Sequence, residues 1–122
     1  MTMTKKKIMI ISQENYIGEL LRTELAEEGY QVTLVDTGEK AFWKYRQDFP
    51  DLVLIDTVLS AIDSNDVLRC FREGNASPPI VVWSAYDQSN DDNLWWDSDA
   101  YVMKTPSFFK IKKKIKELCP CA

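Results

Sequence analysis

The chain has 122 residues, 45% of them hydrophobic and 28% charged, with a formal net charge of −4. These values fit one globular domain, residues 1–122 with a core of about 6–118, and exclude a disordered chain or a general polyanion binder. No apolar stretch approaches the ~20 residues of a membrane span, and Ile8 to Ile11 behind the basic start is shorter than the about 7–15 residues of a signal-peptide core. The expected compartment is therefore the cytoplasm, with no membrane and no nucleic-acid partner.

The elements alternate along the chain. Ile8 to Ile11 reads as a strand. Glu14 to Glu28 reads as a helix with Ile17, Leu20, Leu21 and Leu25 on one stripe, ended by Gly29. Val32 to Val35 is a second strand, and Thr37-Gly38 opens a helix that turns Ala41, Phe42 and Tyr45 inward, with Pro50 beyond its end. Leu52 to Ile55 is a third strand, followed by a helix at about Asn65 to Glu73. Pro78-Pro79 introduces a fourth strand, Ile80 to Trp83, and a short acidic helix lies around Asp91 to Trp96. Tyr101 to Met103 is a fifth strand, and Pro106 starts a last helix with Phe108, Ile111, Ile115 and Leu118 at helical spacing.

Five strands alternating with five helices across short loops imply a parallel sheet covered on both faces, an α/β three-layer sandwich. Right-handed crossovers and this length favour the flavodoxin-like strand order 2-1-3-4-5. Leu52-Val53-Leu54-Ile55 is apolar without alternation, as a strand buried on both faces must be, and Asp56 ends it. Open α/β sheets place their chemistry at the carboxyl ends of strands. Ser84 closes the fourth strand and Lys104 the fifth, so acid, hydroxyl and amine are expected to converge on one sheet edge. The plain alternative for each taken alone is a strand-end turn residue or helix cap.

The chain has no histidine, which excludes in-chain Ser-His-Asp or Cys-His catalysis and a histidine phosphate carrier. Its three cysteines make no disulfide framework, and Cys119-Pro120-Cys121 reads as a frayed terminus.

These residues resemble the receiver domain of bacterial two-component response regulators over about Lys6 to Leu118. Pro50 to Asp56 looks like the phosphoacceptor strand, and Asp63-Ser64 falls where the family usually carries Asp-Gly. Ser84-Ala85 resembles its Thr/Ser-Ala switch pair, and Tyr101-Val102-Met103-Lys104 its aromatic-x-x-Lys. The resemblance implies a signalling switch rather than an enzyme: Asp56 takes a phosphoryl group from a histidine kinase or phosphotransfer protein. Lys104 supplies a fixed cation, Ser84 a hydroxyl donor, and Ser84 with Tyr101 the switch. Such catalysis is mostly positioning and charge stabilisation. Magnesium is implied too, held by Asp56, the backbone carbonyl of Val58 and an acidic pair after the first strand.

That acidic pair is absent. Ser12-Gln13 stand in its place, with Glu14 directly behind. A carboxylate beside a cation is worth about 4 kcal/mol per unit charge pair at ~4 Å and an effective dielectric of ~20. Each ~1.4 kcal/mol lost is tenfold in affinity, so weak magnesium binding is expected unless Glu14 turns inward. As a first-turn acid, Glu14 also complements the helix dipole. Thr105 departs too, standing where many members join Lys to a cis proline.

In the resembling family the fourth helix, fifth strand and fifth helix form the output and dimer face. Here that face would carry Trp95, Trp96, Tyr101, Lys110, Lys113 and Lys114. Adjacent helical positions diverge by about 100°, so Trp95 and Trp96 cannot both face inward. A bipolar, aromatic surface suits a downstream protein or a second copy better than DNA. The plain alternatives are body packing for the tryptophans and a solvated face for the lysines.

The leading expectation is a stand-alone receiver. The alternative is a degenerate receiver, a phosphorylation-independent interaction module. A flavodoxin-type electron carrier would need a phosphate cradle, which Ser12-Gln13-Glu14-Asn15 does not provide. A haloacid-dehalogenase-like phosphatase would need a second acid at Val58.

Overall fold

The computed structural model describes residues 5–13, 15–56, 69, 71–73, 77–84 and 98–120. Five parallel strands form one sheet in the order β2-β1-β3-β4-β5. They are β1 (Lys7–Ile11), β2 (Gln31–Val35), β3 (Leu52–Asp56), β4 (Ile80–Ser84) and β5 (Ala100–Met103). The described helices are α1 (Asn15–Glu27), α2 (Gly38–Asp48) and α3 (Phe109–Leu118). The predicted helix at 91–96 lies outside the described residues, as does that at 65–73 except for Arg69 and 71–73.

Alternation along each strand divides the core in two. Ile8, Ile10, Leu52, Leu54, Val81, Trp83 and Val102 pack beneath α1 and α3, against Leu21, Leu25, Ile111 and Ile115. Met9, Ile11, Val53, Ile55, Ile80 and Val82 cover the opposite face with Ala41, Phe71 and the half-buried Phe42 and Tyr45. The central strands therefore carry no polar face, which is why they read as unbroken apolar runs.

The helix ends follow backbone chemistry. Gly29, at φ 102°, lets Tyr30 N donate to Leu25 O and Gly29 N to Ala26 O, each at 3.1 Å, the paired bonds of a Schellman motif. Thr37 caps α2 by accepting from Lys40 N at 3.1 Å. Three expectations are corrected. Leu20 is 42% exposed, because Leu20 and Leu21 point about 100° apart and only Leu21 reaches the core. The last helix begins at Phe109 rather than Pro106: Thr105 Oγ1 donates to Ser107 O at 2.6 Å, and the helical ladder starts only with Lys112 N to Phe108 O. Cys119 is not frayed but buried, and its carbonyl accepts the Tyr30 hydroxyl at 2.7 Å.

Charge also ties α3 to α1. Lys112 Nζ reaches Glu24 at 3.1 Å and Glu28 at 3.2 Å, and Lys116 pairs with Glu28. Lys116 holds the Glu28 carboxyl below its ordinary value of 4.5, against the opposing effect of burial. Glu24, then Glu28, raise the Lys112 ammonium above its ordinary 10.5. The Glu28 contribution is thus complete above 4.5 and lost as pH falls through the lowered value. The Lys112 contribution is complete below 10.5 and lost as pH rises through the raised one. Glu28→Gln should lower the urea midpoint near neutral pH and converge with the native chain in acid. Parallel curves at both pH values would contradict this coupling.

Candidate functional site

Register builds the site. Asp56 ends β3 and is the partner of Trp83 on β4, while Trp83 partners Val102 on β5. Ser12 follows β1, held by Ser12 N donating to Val35 O at 2.9 Å. Lys104 follows β5, held by Lys104 N donating to Ser84 O at 2.6 Å. Counting alternate residues along β1, β3, β4 and β5 sets Ser12, Asp56, Trp83 and Lys104 on the face that α1 and α3 cover.

The side chains converge accordingly. Asp56 is 0% exposed, and Lys104 Nζ donates to its Oδ1 at 2.8 Å and its Oδ2 at 2.9 Å. The Ser12 hydroxyl, also fully buried, donates to Oδ2 at 2.8 Å. The ammonium lies 5.0 Å from the centroid of the Trp83 ring. A carboxylate can be buried this deeply only when cation and donors replace its water. The strand-end acid and amine singled out by sequence are thus in direct contact. Ser84 is buried and joined to Lys104 through the backbone, one residue beyond Trp83.

Sequence reasoning registered Ser12 only as a missing acid and missed it as a donor to Asp56. Trp83 closes the fourth strand next to Ser84 in sequence, and the register of β3 and β4 sets it beside Asp56 as well. Among the described residues all peptide bonds are trans, Lys104–Thr105 included. Glu14, Val58, Trp95 and Trp96 lie outside the described residues, as do Asp63, Ser64 and Ala85. Tyr101, Lys110, Lys113 and Lys114 line one cleft of about 350 Å³ beside the edge strand β5. Lys114 is paired there with Glu117 at 2.8 Å.

No group of three or more metal-ligating side chains occurs among the described residues. Asp56 already meets Lys104 and Ser12, and Ser12 and Gln13 offer only neutral oxygens. A hard cation wants carboxylates, so this described donor set does not fit magnesium well. No described helix is long and apolar enough to cross a membrane.

A doubly wound 2-1-3-4-5 sheet with a lysine-paired carboxylate at its carboxyl edge defines a flavodoxin-like α/β domain with one strand-end site. Residues 8–116 match the family described as "Response regulator receiver domain", and the chain belongs to that family. It is 30% identical over 115 residues to the alkaline phosphatase synthesis transcriptional regulatory protein PhoP of Bacillus subtilis, covering 93% of this chain and 48% of PhoP. It is 31% identical over 102 residues to the DNA-binding response regulator MtrA of Mycolicibacterium smegmatis, covering 82% and 44%. The chain thus spans about half the length of the curated relatives it matches.

Among solved structures, the response regulator protein TrrA of Thermotoga maritima in complex with Mg2+-BeF superposes with a TM-score of 0.84 at 34% identity, covering 93% of this chain and 98% of that one. A complex of histidine kinase ThkA with TrrA matches with a TM-score of 0.84 at 33% identity and the same coverage.

Proposed function

We propose that Asp56 accepts a phosphoryl group from the phosphohistidine of a histidine kinase or phosphotransfer protein. The observation that carries this reading is the Lys104 ammonium astride both oxygens of a fully buried strand-end carboxylate. In the transfer, an Asp56 oxygen bonds to phosphorus as the P–N bond to the imidazole breaks, and the electron pair stays on the ring nitrogen. Negative charge spreads over the phosphoryl oxygens in the transition state, and Lys104 lies where it can follow that charge. Ser84 would donate its hydroxyl to a phosphoryl oxygen, with Tyr101 as its switch partner. Magnesium would supply the larger counter-charge when bound, held only weakly by Asp56 and the Val58 carbonyl unless Glu14 turns inward to replace the missing acids. TrrA in its complexes with Mg2+-BeF and with ThkA supports the kinase and the cation as partners of this class of domain.

Output would pass to a downstream protein or a second copy over the surface of Tyr101, Lys110, Lys113 and Lys114, extended by Trp95 and Trp96. The edge position of β5 in the sheet and its lysine-lined cleft support this assignment.

One observation favours a second reading, a degenerate receiver that docks without being phosphorylated. Ser12, in place of an acid, satisfies Asp56 with a hydroxyl and leaves the described site short of carboxylates. Acetyl phosphate with excess magnesium, followed by intact mass, separates the two. The first reading expects one phosphoryl increment on the native chain and none on Asp56→Asn. An unmodified native mass gives the site to the second.

A further inference from the structure

Trp83 does more at this sheet edge than fill the core. It is 2% exposed and sits directly beside Asp56 in the parallel register of β3 and β4. Its ring centroid lies 5.0 Å from Lys104 Nζ, while the same ammonium bridges both Asp56 oxygens. The ring is fixed in turn by Phe108, edge-on at 5.9 Å and 65°. Lys104 follows the edge strand β5, and its long stem has many rotamers, so its backbone alone does not set where the charge sits.

We propose that Trp83 is a positioning residue for Lys104, its indole face fixing the ammonium over Asp56. A cation within about 6 Å of an aromatic face is attracted by the ring quadrupole, and more strongly where water is excluded. The side chain of Lys104 is only 16% exposed, so solvent competes little. The carboxylate draws the ammonium towards β3, and the indole restrains it over β4. Together they fix one position where either alone would allow a family of them. A leucine would keep the site apolar, leaving part of the Trp83 volume empty, but would supply no such restraint. This role rests on the proposed phosphoryl transfer only for its consequence in rate; the restraint itself belongs to the resting protein.

The experiment therefore reads position and rate separately. Lysine-selective carbon-13 labelling, with Lys104 assigned by the signal lost in Lys104→Met, reports the ring current on its Hε protons. The native chain should show Lys104 upfield of the other lysines. Trp83→Phe, which keeps a ring, should retain part of the shift, and Trp83→Leu should lose it. Phosphorylation by acetyl phosphate should slow about tenfold in Trp83→Leu and recover most of that in Trp83→Phe. A native Lys104 signal among the ordinary lysines overturns the proposal even if Trp83→Leu fails to fold. A shift unchanged in folded Trp83→Leu overturns it too. Should the native chain take no phosphoryl group, the transfer reading fails while the ring-current result still decides the role of Trp83.

Discussion

Lys104→Met should destabilise the folded protein by about 2–3 kcal/mol near neutral pH, read as a lower urea midpoint with an unchanged slope. Methionine keeps much of the apolar stem and removes only the charged end. Asp56 would then be left fully buried without the cation that contacts both of its oxygens. Removing one partner of a buried pair costs roughly 3–5 kcal/mol, and the 16% exposure of the Lys104 side chain brings the expectation to the bottom of that range or just below it. Asp56→Asn in the Lys104→Met background should recover much of the loss, because the neutral amide needs no cation. The coupling from this double-mutant cycle should reach at least about 1 kcal/mol. A Lys104→Met midpoint equal to the native one would mean that the pair contributes nothing to the resting fold.

Ser12→Asp should convert a metal-indifferent fold into a metal-dependent one. The substitution replaces a hydroxyl that donates to Asp56 Oδ2 at 2.8 Å with a second buried carboxylate. Two like charges at ~4 Å repel by about 4 kcal/mol at an effective dielectric of ~20, so the metal-free variant should lose about 2–4 kcal/mol. Magnesium held by the two acids would offset that repulsion, the whole effect appearing as linkage stabilisation of about 2.7 kcal/mol at a hundredfold excess over Kd. The urea midpoint of Ser12→Asp should therefore rise steeply with magnesium, more so with Gln13→Asp added, and that of the native chain hardly at all. A native midpoint that rises as much as the variant's would show that Glu14 already supplies the missing carboxylate.

The parts legible in the sequence are those fixed by local pattern. Leu52 to Ile55 betrays a strand buried on both faces because each residue must be apolar. Thr37 and Gly29 mark helix ends because a cap hydroxyl and a positive φ are local demands. The meeting of Asp56 and Lys104 was legible for a related reason, since strand ends of a parallel sheet share one edge. What stayed hidden depends on register or on contacts between distant residues. Trp83 closes an apolar run like any core residue, and only the pairing of β3 with β4 sets it beside Asp56. Ser12 reads as an absent acid, because a hydrogen bond spanning 44 positions leaves no local trace. The same holds for Cys119, whose tail looks frayed until the Tyr30 hydroxyl is seen on its carbonyl.

The most direct measurement is chemical mapping of the phosphorylated site. An aspartyl phosphate is an acyl phosphate, which borohydride reduces to the alcohol, leaving homoserine, whereas a serine phosphate is not reduced. After acetyl phosphate, magnesium and borohydride, peptide sequencing by mass should find homoserine at position 56 and an unchanged Ser84. Unreduced Asp56 with phosphate retained on Ser84 or another side chain would contradict Asp56 as the phosphoryl acceptor.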